Sequence, residues 1–373
     1  MRIARIIEYF PSHVGGMERH GLILSKEQIK LGHEVEVFIG YDGDLKDATK
    51  SDFRIYKAPF QFLPPYSKAR RLWFNLWACR KVNKNHQKNP YNIIHLHGDF
   101  IEAYFGGRLS KKLKVPAVIT IHAGLNKRLL KLKNAKFFKN ISRIICVSNE
   151  IAEDLESIGV KGEKIEIITS GIYLNEFDNA DENAIVKLRN RYSKPIIISI
   201  GVLRINKGFT YLIEAFRQIK EKVDSATLFI IGDGPEKNNL KKQAAGVYNI
   251  YFLGQREHDK IVEYLKAADV FILASISTPN DREGTPTSIM EAMASGLPVI
   301  ATKVGGNSYL VKEGRNGFLV ESKNAQILSE SIITIINNSN LREQMAKNNL
   351  EDIKQKDWPV VALQIEEVYK KLL

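Results

Sequence analysis

The sequence predicts an α/β chain of two doubly wound domains, each a parallel sheet covered by helices, facing each other across a cleft. Three observations carry this. Short apolar runs alternate with amphipathic stretches from end to end, the pattern of strand and crossover helix. At 373 residues the chain is too long for one ordinary hydrophobic core. A polar stretch from Asn175 to Asn190 interrupts the alternation before Pro195 opens a new apolar run, PIIISIG, so the linker is expected there.

In the first half, apolar runs place strands at Arg2–Tyr9, Glu34–Ile39, Phe53–Lys57, Ile93–His97, Ala117–Ile121, Arg143–Val147 and Ile165–Ile168, with helices filling the gaps. The second half repeats the logic at Ile196–Ile200, Thr227–Ile231, Ile250–Leu253, Val270–Leu273 and Pro298–Ala301. Trp358–Leu373 reads as a separate amphipathic helix. The expected domains are therefore 1–180 and 190–357, with ligands held at the C-terminal ends of the strands, as doubly wound sheets hold them.

Composition narrows the class. Hydrophobic content of 44% and charged content of 26% fit a soluble globular protein, and no apolar run approaches the length of a membrane span. MRIARIIEYF reads as a strand without the cleavage pattern of a signal peptide, so a cytoplasmic location is expected. Cys79 and Cys146 lie in apolar segments and read as small buried residues, not as a disulfide framework or metal site.

The net charge of +13 is unevenly spread: residues 1–180 hold 29 Lys and Arg against 19 Asp and Glu, and the rest 26 against 23. No acidic residue occurs between Glu102 and Glu150, where eleven cations fall. NKRLLKLKNAKFF, with Lys139 just after it, carries Lys127, Arg128, Lys131, Lys133 and Lys136 among Leu129, Leu130, Leu132, Phe137 and Phe138. YSKARRLWFNLWACRK sets Trp73, Phe74 and Trp77 beside Arg70, Arg71 and Arg80. Basic, amphipathic and aromatic together suggest a face for an anionic membrane surface. The alternative is that the apolar residues pack into the first domain while the lysines keep it soluble.

The most informative stretch is EGTPTSIMEAMASGLPVIAT, with carboxylates at Glu283 and Glu291, eight residues apart. Gly284 permits a turn, Thr285 suits an N-cap and Pro286 the first helical position, which leaves the N–H groups of Thr287 and Ser288 at a helix N-terminus. Such an end attracts phosphate. One carboxylate then reaches a sugar and the other a ribose.

This arrangement, with EAMA, the strand SGLPVIAT and Gly305–Gly306 following, resembles the Glu-x7-Glu signature of retaining nucleotide-sugar glycosyltransferases of the GT-B fold, glycosyltransferase family 4. The resemblance runs from the Gly15–Gly16 loop to the final helix. It implies two Rossmann-like domains, with the helix 358–373 crossing back onto the first. It also implies transfer of a hexosyl or N-acetylhexosaminyl group from a nucleotide-diphosphate sugar to an acceptor held mainly by the first domain, with retention of configuration. Glu283 would orient the donor sugar and Glu291 hold the ribose.

Other segments fit the same reading. Gly15 and Gly16, in PSHVGGMERH, let backbone approach a diphosphate in front of a helix expected from Met17 to Leu31. His122 follows the strand TI where the family keeps a histidine facing the donor sugar, whereas His95 and His97 read as hydrogen-bonded structural residues. SIGVLRINKGF resembles the family's G-R-L-x-x-x-K-G segment, whose cations neutralise the departing diphosphate. Lys207 matches it, but Val202 stands where the family has Arg, leaving Arg204 as the possible partner. IIGDGPEKNNL lacks the third glycine of a dinucleotide fingerprint, and the resemblance puts its Gly232 turn on the nucleotide side. Gly254 and Gln255 fall where family members meet the base. SGIYLNEF departs from the family's N-G-V-D junction at Ser170 and Tyr173.

The expected partners are a nucleotide-sugar donor, a lipid-linked glycan or glycolipid acceptor, and the inner face of the membrane. No metal site and no cofactor beyond the donor substrate are expected. Within the fold, the alternatives are a soluble acceptor or a sugar-nucleotide epimerase. In another class, the basic half could bind nucleic acid without catalysis, but no nucleic-acid motif accompanies it.

Overall fold

The computed structural model describes residues 1–10, 16–42, 52–59, 67–122, 135–277 and 286–373. They form two compact units, one of Met1–Gly171 with Trp358–Leu373 and the other of Ile172–Asp357.

The first unit is built on seven strands: β1 (Arg2–Phe10), β2 (Glu34–Asp42), β3 (Arg54–Lys57), β4 (Ile93–His97), β5 (Ala117–Ile121), β6 (Arg143–Cys146) and β7 (Ile165–Ile167). Their order is β3-β2-β1-β4-β5-β6-β7, and every pairing is parallel. The second unit carries β8 (Ile196–Ile200), β9 (Thr227–Ile231), β10 (Ile250–Gly254), β11 (Val270–Leu273), β12 (Val299–Thr302) and β13 (Gly317–Val320). Their order is β10-β9-β8-β11-β12-β13, again all parallel. Central strands β4, β5, β8 and β9 are buried at every position, which is why they read as unbroken apolar runs. Each strand order reverses once beside its first strand, between β1 and β4 and between β8 and β11, and crevices form at such switch points.

Two elements depart from the sequence reading. Residues 175–190, expected as linker, form the helices Asn175–Asp178 and Glu182–Arg191 within the second unit, because Phe177 and Ile185 are buried there. Strand β13 was not expected. It is four residues long and opens on Gly317, where an added Cβ would lie 1.9 Å from the Val299 carbonyl oxygen, so close pairing with β12 demands glycine.

The helix Trp358–Lys370 packs on the first unit through Val361, Ile365, Val368 and Tyr369. Tyr369 Oη accepts from Gln28 Nε2 at 3.2 Å and lies 2.5 Å from His95 Nδ1. Arg5, fully buried, donates to Gln28 Oε1 at 2.6 Å and to Ser25, so an ionic group in this core is met by polar partners. Cys146 is buried and Cys79 half-buried, and burial pushes both thiols up to about 12.

Candidate functional site

In the second unit the chain leaves β8 at the switch point and is tied down by its own backbone. Gly201 N–H donates to Ile231 O at 3.0 Å, Leu203 N–H to Asp233 O at 2.9 Å, and Gly232 N–H to Gly254 O at 2.9 Å. The loops after β8, β9 and β10 are thus stitched together along one sheet edge. Gly232, with φ +137°, has no room for a side chain, since a Cβ would stand 2.0 Å from Gly201 O. Gly254 also has positive φ, at +71°. Ile205–Lys207 then makes one 3-10 turn that ends on Gly208, and Ile276 N–H donates to Asn206 O at 2.7 Å, binding this turn to the chain leaving β11. Lys207 is therefore fixed, half-buried, between β8 and β11. Arg204 and Val202 are exposed on the same loop.

The helix after β11 spans Thr287–Ala294. Pro286 has ψ 118° and stands at the N-cap, so the helix starts one residue later than the sequence suggested. Among the described residues no side chain caps this end, and the first-turn N–H groups of Thr287 and Ser288 face the entry of the helix. Glu283, Gly284 and Thr285 lie outside the described residues. Glu291, two turns in, is 9% exposed, and its Oε1 lies 3.8 Å from His258 Nδ1. His258 Nε2 lies 2.8 Å from Glu176 Oε2. The sequence reading missed His258. Its signal was its place immediately after the Gly254–Glu257 segment assigned to the base.

At the switch point of the first unit, Gly16 opens the helix Gly16–Lys30, with nothing within 4 Å of an added Cβ; Gly15 lies outside the described residues. Beside it stands a histidine cluster. His97 Nδ1 lies 3.0 Å from His122 Nε2, and His20 Nδ1 lies 2.9 Å from Ser170 Oγ. His95 is satisfied at both nitrogens, by Tyr369 Oη and by Thr120 Oγ1 at 2.8 Å, and is structural. Burial lowers His122 to about 3 and holds His20, His95 and His97 well below their usual range, so all four imidazoles are neutral at pH 7. His20 escaped the sequence reading, because helical spacing from Gly16 gives no hint that it meets two strand ends.

The basic segments divide differently from expectation. Lys127, Arg128, Lys131 and Lys133 lie outside the described residues, while Lys136 lies within the turn Ala135–Phe138 and Lys139 follows it. Phe138 and Phe74 are each 1% exposed and belong to the core, so neither is available to a membrane. Arg70 is also buried. Arg71 is held by Asp99 at 2.7 Å and by Glu102, with Glu8 at 3.8 Å, and burial next to Glu102 raises the Glu8 carboxyl to about 7. Exposed residues of the helix Lys68–Lys88 include Lys68, Leu72, Trp73, Arg80 and Lys84, with Lys68 one turn before Leu72 and Arg80 two turns after Trp73. Among the described residues no helix is long and apolar enough to cross a membrane.

Comparison with known proteins covers both units. The family described as Glycosyltransferase Family 4 matches residues 14–176, and that described as Glycosyl transferases group 1 matches residues 181–352. The chain is 27% identical to an uncharacterized glycosyltransferase of Methanocaldococcus jannaschii, over 99% of this chain and 98% of that one. It is 26% identical to the phosphatidyl-myo-inositol mannosyltransferase of Mycobacterium leprae, over 99% and 96%. Among solved structures, Anabaena HepE in complex with UDP superposes with a TM-score of 0.79 at 23% identity, covering 100% of both chains, a likeness of fold.

Proposed function

Because this chain belongs to glycosyltransferase family 4, with the GT-B fold, we propose that it moves a sugar from a nucleotide diphosphate to an acceptor hydroxyl with retention of configuration. The bond from the anomeric carbon to the diphosphate oxygen breaks, the acceptor oxygen bonds to the same face, and its proton leaves with the products. The protein's task is to stabilise a diphosphate leaving group and a short-lived oxocarbenium-like sugar. The observation that carries the reading is in the second unit, where Lys207 and the N-terminus of the helix Thr287–Ala294 belong to the two chain segments leaving β8 and β11. A fixed cation and a helix N-terminus beside one switch point form a preorganised anion site. Gly16, in the first unit, is backbone of the kind that approaches phosphate, and the family resemblance gives His122 a sugar-facing role.

Glu291 and Glu283 are assigned to different parts of the donor, so their variants separate. Glu291→Ala is expected to weaken donor binding about tenfold, the order of losing a hydrogen bond to a charged group. Glu283→Ala is expected mainly to lower turnover. Titration calorimetry with uridine, guanosine and adenosine diphosphate sugars, followed by initial rates on the donor that binds, distinguishes them. Small, equal effects of both substitutions would sink the two-carboxylate assignment.

The acceptor we infer is a glycolipid or lipid-linked glycan on an anionic membrane surface. Three things support this: the +13 net charge concentrated in residues 1–180, the exposed Leu72 and Trp73 beside Lys68 and Arg80, and the lipid named for the mycobacterial relative. Each surface cation contributes about 1 kcal/mol near anionic lipid, and salt screens it. Replacing Lys127, Lys131, Lys133 and Lys136 with Glu should abolish sedimentation with anionic vesicles at low salt while hydrolysis of a soluble donor continues. An unmodified protein that stays in the supernatant would move the assignment to a soluble acceptor.

A further inference from the structure

The imidazoles of His20, His97 and His122 converge from three elements of the first unit: the helix Gly16–Lys30, the end of β4 and the residue following β5. One nitrogen from each lies within 4.8 Å of the other two. The ring centroids are 4.7 Å apart for His20 and His122, 5.3 Å for His97 and His122, and 5.7 Å for His20 and His97. Tetrahedral zinc, with Zn–N bonds of about 2.0–2.1 Å, keeps its nitrogens about 3.3 Å apart, so modest side-chain rotation closes this cluster around one ion.

Two further observations point to a ligand. Among the described residues, His20 Nε2 and His97 Nε2 have no hydrogen-bond partner, although both are only 1% exposed. Buried polar atoms are nearly always satisfied, and exceptions call for an ion or a water. His20 Nδ1 already has Ser170 Oγ at 2.9 Å, the kind of outer contact that orients a ligating imidazole and leaves its other nitrogen for the metal. His122 is the half-buried member of the cluster.

We propose that His20, His97 and His122 form a binding site for one divalent transition cation of the zinc class, with a fourth position open to water or a ligand oxygen. The site lies wholly within the first unit and does not rest on the donor assignment. An ion held there engages His122, so any ligand that needs this side chain as a free hydrogen-bonding group competes with the metal. The positive charge of Arg5 acts on the same cluster and keeps the affinity modest.

The test uses the full chain, freed of metal by a chelator and titrated with Co2+ while visible absorption is followed, then with Zn2+ in competition. One equivalent of Co2+ should bind with the intense bands of four-coordinate cobalt, and Zn2+ should displace it. His20→Gln and His97→Gln should each weaken binding by about tenfold or more. His86→Gln, in the same unit but outside the cluster, should not. The proposal is overturned if the unmodified chain gives only the weak spectrum of hydrated, six-coordinate Co2+. It is equally overturned if a His20→Gln/His97→Gln double variant with the parent's circular dichroism binds Co2+ as tightly as the parent. Should those variants not fold, the spectrum of the unmodified chain decides alone.

Discussion

Lys207→Ala is expected to lower turnover by about 100-fold or more, the loss seen when a preorganised group facing developing charge is removed. That corresponds to about 2.7 kcal/mol of transition-state stabilisation. The lysine is not a loose surface cation: its turn is held by Lys207 N–H to Arg204 O at 3.1 Å and by Ile276 N–H to Asn206 O. On the proposed role, a backbone held in this way would lessen the reorganisation needed for the ammonium to meet the leaving phosphate. Steady-state rates on the identified donor, with circular dichroism to confirm folding, make the measurement. A variant within about threefold of the parent would remove Lys207 from the chemistry. Arg204→Ala is the companion. Since Arg204 is exposed, unchanged activity would mean that the lysine and the helix N-terminus suffice without the arginine that Val202 replaces.

Gly208→Ala should be among the most damaging single methyl groups in the second unit. Gly208 has φ +64°, and a Cβ there would stand 1.9 Å from the carbonyl oxygen of Ala274. Backbone, not a flexible side chain, is what it meets. Left-handed strain and forced displacement each cost about 1–3 kcal/mol, so a loss of about 2–5 kcal/mol in urea unfolding is expected. Activity should fall as well, because the displaced turn is the one that positions Lys207. Gly246→Ala is the control: its φ is +80° but nothing lies within 4 Å, so it should show only the strain. Equal effects of the two substitutions would refute the contact argument.

Strand positions were legible because both faces of each sheet are covered. An apolar run such as IIISI or TLFII then has no other place to go, and the expected and observed limits of β8 and β9 coincide. The glycines were legible for a similar reason, since Gly208, Gly232 and Gly254 all adopt the positive φ that other residues avoid. What escaped was whatever depended on contacts distant in sequence. Phe177 and Ile185 turn a polar segment into packed helix only because the second core receives them. Arg70, Arg71, Phe74 and Phe138 looked like a basic aromatic surface, yet burial and the carboxylates of Asp99 and Glu102 claim them. His20 carries no local signal, and His258 only its place just after the segment expected to meet the base. Each acquires meaning from side chains on other elements, and linear spacing does not encode such meetings.

The attachment of the helix Trp358–Lys370 to the first unit has a consequence for how the protein is made. The second unit is one uninterrupted stretch, 172–357, and can close its core as soon as it emerges from the ribosome. The first unit, although synthesised earlier, is left with Arg5, Gln28 and His95 lacking the hydroxyl of Tyr369 until all of 172–357 has been translated. Assembly therefore runs against the order of synthesis, and the earliest-made half is the last to be finished.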